Sequence, residues 1–362
     1  MKTLLICLTV FTGFFLTSCK EEVNLISDYK ETAVVYGLLD KNDSIHMIRI
    51  NRAFIGPGNA LTFAAEPDSN YFKSVDARII EKVAGIKTNE WELLDTTIYD
   101  KETNGIFYAP EQTLYYFKEP SLNENATYEL HIDINNGQFQ ISSETNLVKG
   151  ITLEIPNTFK FSDGPGEYVT SSISVDVGTS YQIDLTLTLA FHELIEEDTV
   201  NRGEIQWKIE EQACNPNETI PFSLDGETFY QLIKNATCDN GDPSISERIF
   251  KGITVTATGA AEEFYNYILA NQPSSSLAQS KPTYTNLTAT GGHPVIGIFS
   301  SRETHRSFHP FIHQLLPNLR LIDDNSTEEL CEGSITTLAC KFCSDHPTDN
   351  SSGNEKSYAC PN

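Results

Sequence analysis

The stretch Tyr181-Gln182-Ile183-Asp184-Leu185-Thr186-Leu187-Thr188-Leu189 decides the fold. Its apolar residues fall on every second position, with Gln182, Asp184, Thr186 and Thr188 between them. Side chains alternate across a strand, so this pattern puts one face in a core and the other in water, as antiparallel sheets do. On a helix, residues three and four apart would share a face and the two classes would mix. The same period recurs in Tyr128, Leu130, Ile132 and Ile134, and again in Ile205, Trp207 and Ile209.

Working outward, further strands are expected at Ala33–Leu39, Ile45–Phe54, Val75–Glu81, Glu90–Tyr99, Leu114–Lys118 and Gln138–Ser143. Roughly seven strands in about 115 residues, parted by turn-rich stretches, predict an immunoglobulin-like or transthyretin-like β-sandwich over residues 28–148. Tyr128, near the start of a late strand, is placed to bond a nearby backbone group in the manner of a tyrosine corner. A second β-rich domain is expected over residues 151–330, with two short helices at Ser223–Lys234 and Ala260–Ala270. In the second helix Phe264, Tyr265, Ile268 and Leu269 recur at helical spacing and Pro273 ends the pattern. The fold class is mainly β, closing on a cysteine-rich C-terminal tail over residues 331–362.

The front of the chain has a different grammar. Lys2 precedes an apolar run from Leu4 to Phe15, followed by Leu16-Thr17-Ser18-Cys19. A positive end, a short apolar core and small residues form a secretory signal, here residues 1–18. The run is short of the roughly 20 apolar residues of a transmembrane helix. Leu16-Thr17-Ser18-Cys19 resembles the bacterial lipobox, which implies lipid on Cys19 and a lipidated tether over residues 19–27. Lys20, Glu21 and Glu22 are similar to the signal that sends Bacteroidota lipoproteins to the outer face of the outer membrane.

The 362 residues hold 25 basic and 50 acidic side chains, a net charge of -25. Such a surface repels phosphate backbones, which argues against nucleic acid as a partner. Of eight cysteines, Cys7 leaves with the signal and Cys19 takes lipid. Cys214, Cys238, Cys331, Cys340, Cys343 and Cys360 remain. An even number in an exported chain points to disulfides, and six allow 15 pairings. Cys214–Cys238 is the expected staple of a polar excursion. Among the last four, Cys340-Lys341-Phe342-Cys343 also admits a redox pair or, with Cys331 and Cys360, a zinc site. Two disulfides are the expectation there.

His305, His309 and His313 are spaced by four, which on a helix would gather them for a metal. Pro310 argues against an unbroken helix. The sequence holds no Gly-x-Ser-x-Gly elbow, no His-Glu-x-x-His, no P-loop and no dinucleotide fingerprint. No catalytic residue and no cofactor are therefore assigned. Asp43-Ser44-Ile45, Asp95-Thr96-Thr97 and Asp198-Thr199-Val200 are similar to the Bacteroidota O-glycosylation pattern.

Four features together resemble a family of Bacteroidota outer-membrane lipoproteins of unknown function, commonly encoded beside TonB-dependent receptors. They are the lipobox at Cys19, the early strand Val34–Leu39, the pair of Cys340 and Cys343, and Glu262–Tyr267 followed by Asn286-Leu287-Thr288 and Gly297-Ile298-Phe299. No Gly-Gly follows Cys343 and no Phe-Trp closes the chain, both departures from the pattern. The resemblance implies a non-catalytic binding or scaffold role at the outer membrane, with a TonB-dependent receptor as partner. The alternatives are a surface adhesin without a transporter and a metal- or glycan-processing protein. The sequence leaves the oligomeric state open.

Replacing Cys19 with serine removes the thiol that would carry the lipid. The Cys19→Ser chain is expected to leave the envelope fraction and to lose the acyl mass, as read by fractionation and intact-mass spectrometry. Unchanged sedimentation at unchanged mature mass would overturn the anchor.

Overall fold

The computed structural model describes residues 31–53, 60–105, 108, 111–195, 199–238, 243–272, 283–313, 315–316, 318–353 and 355–361. Cys19, Lys20, Glu21 and Glu22, with the whole signal and tether, lie outside the described residues.

In the first half the strands are β1 (Thr32–Asp40), β2 (Ile45–Ala53), β3 (Val75–Val83), β4 (Ile86–Glu92), β5 (Leu94–Ile98), β6 (Gln112–Lys118), β7 (Thr127–Ile134) and β8 (Phe139–Asn146). Next come β9 (Ile151–Glu154), β10 (Ser162–Gly164), β11 (Glu167–Tyr168), β12 (Thr170–Val177), β13 (Gln182–Ile195), β14 (Thr199–Ala213) and β15 (Thr219–Asp225). The last are β16 (Ile245–Ala260), β17 (Thr288–Ala289), β18 (Val295–Pro310) and β19 (Phe342–Cys343). Helices occupy Gly226–Thr237, Glu262–Asn271 and Asp324–Glu332, with two shorter ones at Ala60–Ala64 and Pro67–Asn70.

A nine-stranded sheet runs β14-β13-β16-β18-β1-β2-β6-β5, with β19 alongside β16. Its β1, β2 and β6 end faces the five-stranded sheet β17-β8-β7-β3-β4 across one core, which holds Val35, Ile48, Ile50, Ile79, Leu130, Ile132 and Phe299. Its other end faces the three-stranded sheet β15-β12-β9 and the helix Gly226–Thr237. That second core holds Ile183, Leu185, Leu187, Val175, Phe222, Phe229 and Tyr230. The chain is thus mainly β and built as two β-rich modules. The alternation read in Tyr181–Leu189 is realised: Ile183, Leu185, Leu187 and Leu189 are buried, and the residues between them are half-exposed.

One strand belongs to both modules. From Ala33↔Val295 to Asp40↔Arg302, β1 pairs in parallel with the first half of β18. From Arg302 to Pro310 the same strand pairs antiparallel with β16. The sandwich expected over residues 28–148 is therefore completed by residues far downstream, among them Leu287 and Phe299 in its core. At Gly297 the β1 backbone leaves no room for a side chain. Its φ is +109°, and a Cβ there would lie 1.9 Å from the Val35 carbonyl oxygen. Glycine is the residue that tolerates such a conformation and such an approach.

The junction is polar, and Asp40, Ser301 and Glu303 are paired there. Asp40, 1% exposed, accepts from Asn42 N at 3.1 Å and Thr304 N at 3.0 Å. Ser301 Oγ donates to the Asn146 carbonyl at 2.6 Å and accepts from Val148 N at 3.0 Å. Glu303 accepts from Ile151 N at 3.2 Å and faces Lys41 Nζ at 3.1 Å. Burial works against the Lys41 charge, but the hydrogen bonds it donates to Glu124 and Glu303 outweigh it and hold its pKa above the usual lysine value. Asn286 serves Phe299 as a neighbouring strand would: its Nδ2 donates to the Phe299 carbonyl at 2.6 Å and its Oδ1 accepts from Phe299 N at 3.1 Å.

Two expectations shift. The first helix starts at Gly226, not Ser223, because Ile220, Phe222 and Leu224 keep the strand period up to a helix cap at Asp225. Asp225 Oδ1 accepts from Thr228 N at 2.7 Å, the bond that satisfies a first-turn donor. The region Glu90–Tyr99 is two strands, β4 and β5, in different sheets. The chain changes sheet at Leu93, whose N donates to the Ala77 carbonyl at 2.8 Å. Tyr128 behaves as read: its hydroxyl lies 3.2 Å from the Asn123 carbonyl oxygen and 2.9 Å from Glu81 Oε2.

Phe299, on the shared strand, is fully buried in the core of the first module. Phe299→Ala is expected to lower stability by about 3–5 kcal/mol. Urea unfolding monitored by Trp91 fluorescence checks this, since Trp91 packs against that core.

Candidate functional site

The outer face of the nine-stranded sheet departs from the rule that strands of a half-buried sheet turn polar side chains to water. Ile45 (43% exposed), Met47 (46%), Leu94 (59%) and Ile296 (44%) all lie open. Pairing brings three of these strands into one row, because Met47 is opposite Tyr116 and Tyr116 is opposite Leu94. Ile45 is opposite Lys118, and Arg49 is opposite Tyr36. Lys118 Nζ sits 5.9 Å from the centre of the Tyr116 ring. The helix Glu262–Asn271 lies against β18 on one flank of this surface. There the Tyr267 and Tyr36 hydroxyls are 3.0 Å apart and the rings meet edge to face at 6.0 Å. Burial and the Tyr36 contact push the Tyr267 phenol up to about 12, so it stays neutral and bonded. The result is an apolar, aromatic row of Met47, Tyr116 and Leu94 with Ile45 and Lys118 beside it, and Arg49 stands between this row and Ile296, on a chain of net charge -25.

Sequence reasoning missed this strip. The signal was present in Ile45-His46-Met47-Ile48-Arg49-Ile50, where apolar residues occupy both parities of one strand. Ile48 and Ile50 fill the core, and Ile45 and Met47 are left outside.

A second concavity, of 460 Å³, lies where the modules meet and is lined by Glu124, Asn125, Lys149, Tyr181, Glu262 and Glu263 among others. Glu262 and Glu263 stand in the first turn of their helix, where acids are favoured by the helix dipole.

The cysteines pair differently from the expectation. Cys238 is bonded to Cys340 and Cys343 to Cys360. Cys214 and Cys331 are buried free thiols, which corrects both the Cys214–Cys238 staple and the candidacy of Cys331. Burial pushes the Cys214 thiol up to about 11, and its sulfur donates to the Ser180 carbonyl at 3.4 Å. Burial also pushes Cys331 up. Both are unreactive as thiolates at neutral pH. Because Cys340 and Cys343 take separate partners, they form neither a redox pair nor a zinc site. The sulfurs of Cys343 and Cys360 lie near Glu247, but their disulfide uses up their ligand capacity.

The cysteine-rich tail is packed, not loose. Leu330, Ile335, Cys340, Phe342 and Tyr358 join the second core, and β19 pairs in parallel with β16. Arg320 fixes it from within, donating to Asp349 through Nη1 at 2.9 Å and Nη2 at 2.7 Å. Burial opposes the Arg320 charge, and the Asp349 carboxylate overrides it, holding the pKa above its ordinary value. Sequence offered no signal for this pair, whose members are 29 residues apart in an irregular segment.

His305 and His309 lie on strand β18, not on a helix, and His313 follows the strand. His309 Nε2 is 3.0 Å from Ser307 Oγ, and His313 Nδ1 accepts from Leu315 N and Leu316 N at 3.2 and 3.1 Å. Among the described residues these three do not form a metal-holding group. The β-strand wins because the Arg302–Pro310 ladder to β16 satisfies the backbone and leaves Pro310 at its end. Of the glycosylation-like matches, Ser44 lies exposed beside the β1–β2 turn and Thr96 lies on β5. Asp198 lies outside the described residues.

His346 is fully buried, with Nδ1 2.8 Å from Thr348 Oγ1. Burial, then the nearby Arg320 charge, push its pKa below the ordinary value, and burial alone does the same to His309. A histidine held neutral adds stability above its unfolded pKa of about 6.5 and loses it as pH falls. The urea midpoint is therefore expected to drop as pH falls from about 6.5 to 5. The fall should be shallower in a His309→Asn/His346→Asn variant, and equal slopes would refute the assignment.

No protein-family model and no curated protein match this chain. Among solved structures, it is similar to the C-terminal globular domain of oligosaccharyltransferase from Pyrococcus abyssi at 13% identity and a TM-score of 0.23. That match covers 62% of this chain and 45% of the other, so it spans under half of the matched structure. A biofilm-associated protein BSP domain matches at 10% identity and a TM-score of 0.14, over 79% of this chain and 60% of that one. Similarity this loose carries no argument about fold or activity.

Proposed function

We propose that this chain is a lipid-anchored cell-envelope protein that acts as a non-catalytic binding or scaffold partner of a TonB-dependent outer-membrane transport system. The anchor is supported by Leu16-Thr17-Ser18-Cys19, and the outer leaflet by Lys20, Glu21 and Glu22. The observation that carries the binding role is the open apolar surface of Ile45, Met47 and Leu94, gathered by the ladders of β2, β6 and β5. Contiguous apolar surface of this kind, rimmed by polar groups, marks interaction sites on soluble proteins. Removing it from water would supply affinity, about 25 cal/mol for each Å² covered. Arg49 and Lys118 would set register against acidic groups on the partner, since rim charges act on specificity and on-rate more than on affinity. A sheet is suited to this work because its backbone needs no ordering when the partner arrives.

Pull-down of the natively anchored chain followed by mass spectrometry is expected to recover an outer-membrane barrel. Met47→Asp changes an exposed side chain and should leave the folded circular dichroism spectrum intact. It is expected to cut barrel recovery about tenfold, as for a residue in the centre of an interface. Recovery of host or matrix protein without a barrel would replace this reading with a surface adhesin.

A further inference from the structure

We propose that β5 is a self-pairing edge through which two copies of this chain join into one continuous sheet. β5 ends the nine-stranded order, with β6 on one side and no strand on the other among the described residues. Open edges are usually guarded by charge. The neighbouring edge β4 carries Lys87, Glu90 and Glu92, and the far edge β14 carries Glu204, Lys208, Glu210 and Glu211. β5 reads Leu94-Asp95-Thr96-Thr97-Ile98, with one charge and no proline.

The pattern is self-complementary in one register. Antiparallel pairing centred on Thr96 sets Leu94 opposite Ile98 of the second copy, Thr96 opposite Thr96 and Asp95 opposite Thr97. Apolar meets apolar on the outer face, and the acid meets a hydroxyl on the other. Centring on Asp95 would oppose two carboxylates, which is unfavourable. A slip of one residue would join the outer face of one copy to the inner face of the other. Glu92 and Asp100 bracket the segment and limit the pairing to these five residues. The register also extends the outer row: Met47, Tyr116 and Leu94 run on into Ile98 of the second copy. Backbone bonds along the edge supply the pairing, so the inference does not rest on the transport reading.

The test uses the full-length chain in light scattering across concentrations up to about 1 mM, the range in which a small interface associates. The wild type is expected to dimerise reversibly. Thr96→Lys and Thr96→Glu each place like charges opposite one another and should weaken association about fivefold or more. An equimolar mixture of the two should restore it, because position 96 faces itself across the axis. Thr88→Lys on β4 should leave association unchanged. A wild type that stays monomeric, a Thr96→Lys chain that dimerises like the wild type, or a mixture that fails to recover would each overturn the proposal. So would a sugar on Thr96 in the native chain, since it would cap the edge.

Discussion

The structure depends on the parallel ladder between β1 and β18. Every residue from Ala33 to Asp40 has its partner in a segment more than 260 positions away. That pairing must wait for nearly the whole chain to be present, and contacts so distant in sequence carry a large entropic cost to form. Once made, it converts two modules into one body, because the same strand continues without a break into the ladder with β16. The junction cannot be apolar there, since strands change partner and backbone groups turn away from their ladders. Asp40, Ser301 and Glu303 take those groups up. Each is buried, and each is stabilising only while its partners hold, for a buried polar group without one costs about 1–3 kcal/mol.

Most of the fold was legible in the sequence because its strands are half-buried and alternate. β1, β3 and β7 could be placed to within a residue or two on period alone. Their partners could not. Nothing local to Val295–Pro310 says that its first half belongs beside β1, since a parallel pairing leaves no turn between the strands to announce it. Alternation also weakens late in β18, where Arg306 and Phe308 are exposed. Cysteine pairing failed for a different reason. The tail folds through irregular backbone around Arg320 and Asp349, and connectivity of that kind has no periodic signature.

The exposed strip and the charge of the chain are best considered together. A net charge of -25 keeps such a protein soluble and discourages indiscriminate association. An apolar surface on the same molecule can then remain open, with Arg49 and Lys118 standing beside it. Tyr36 and Tyr267 close one flank by bonding to each other, so the strip has a defined border there.

The position of β1 has a mechanical side. It is the first described strand from the N-terminus, yet it lies inside the sheet, bonded to β18 on one side and β2 on the other. In a chain tethered by its N-terminal end, any pull enters along the axis of this strand. The load is then shared in shear across both ladders at once, not spent on one bond at a time as it would be at a frayed edge. Were the chain held at its N-terminus, as we propose, tension would pass into the middle of the molecule, where giving way requires many bonds to fail together.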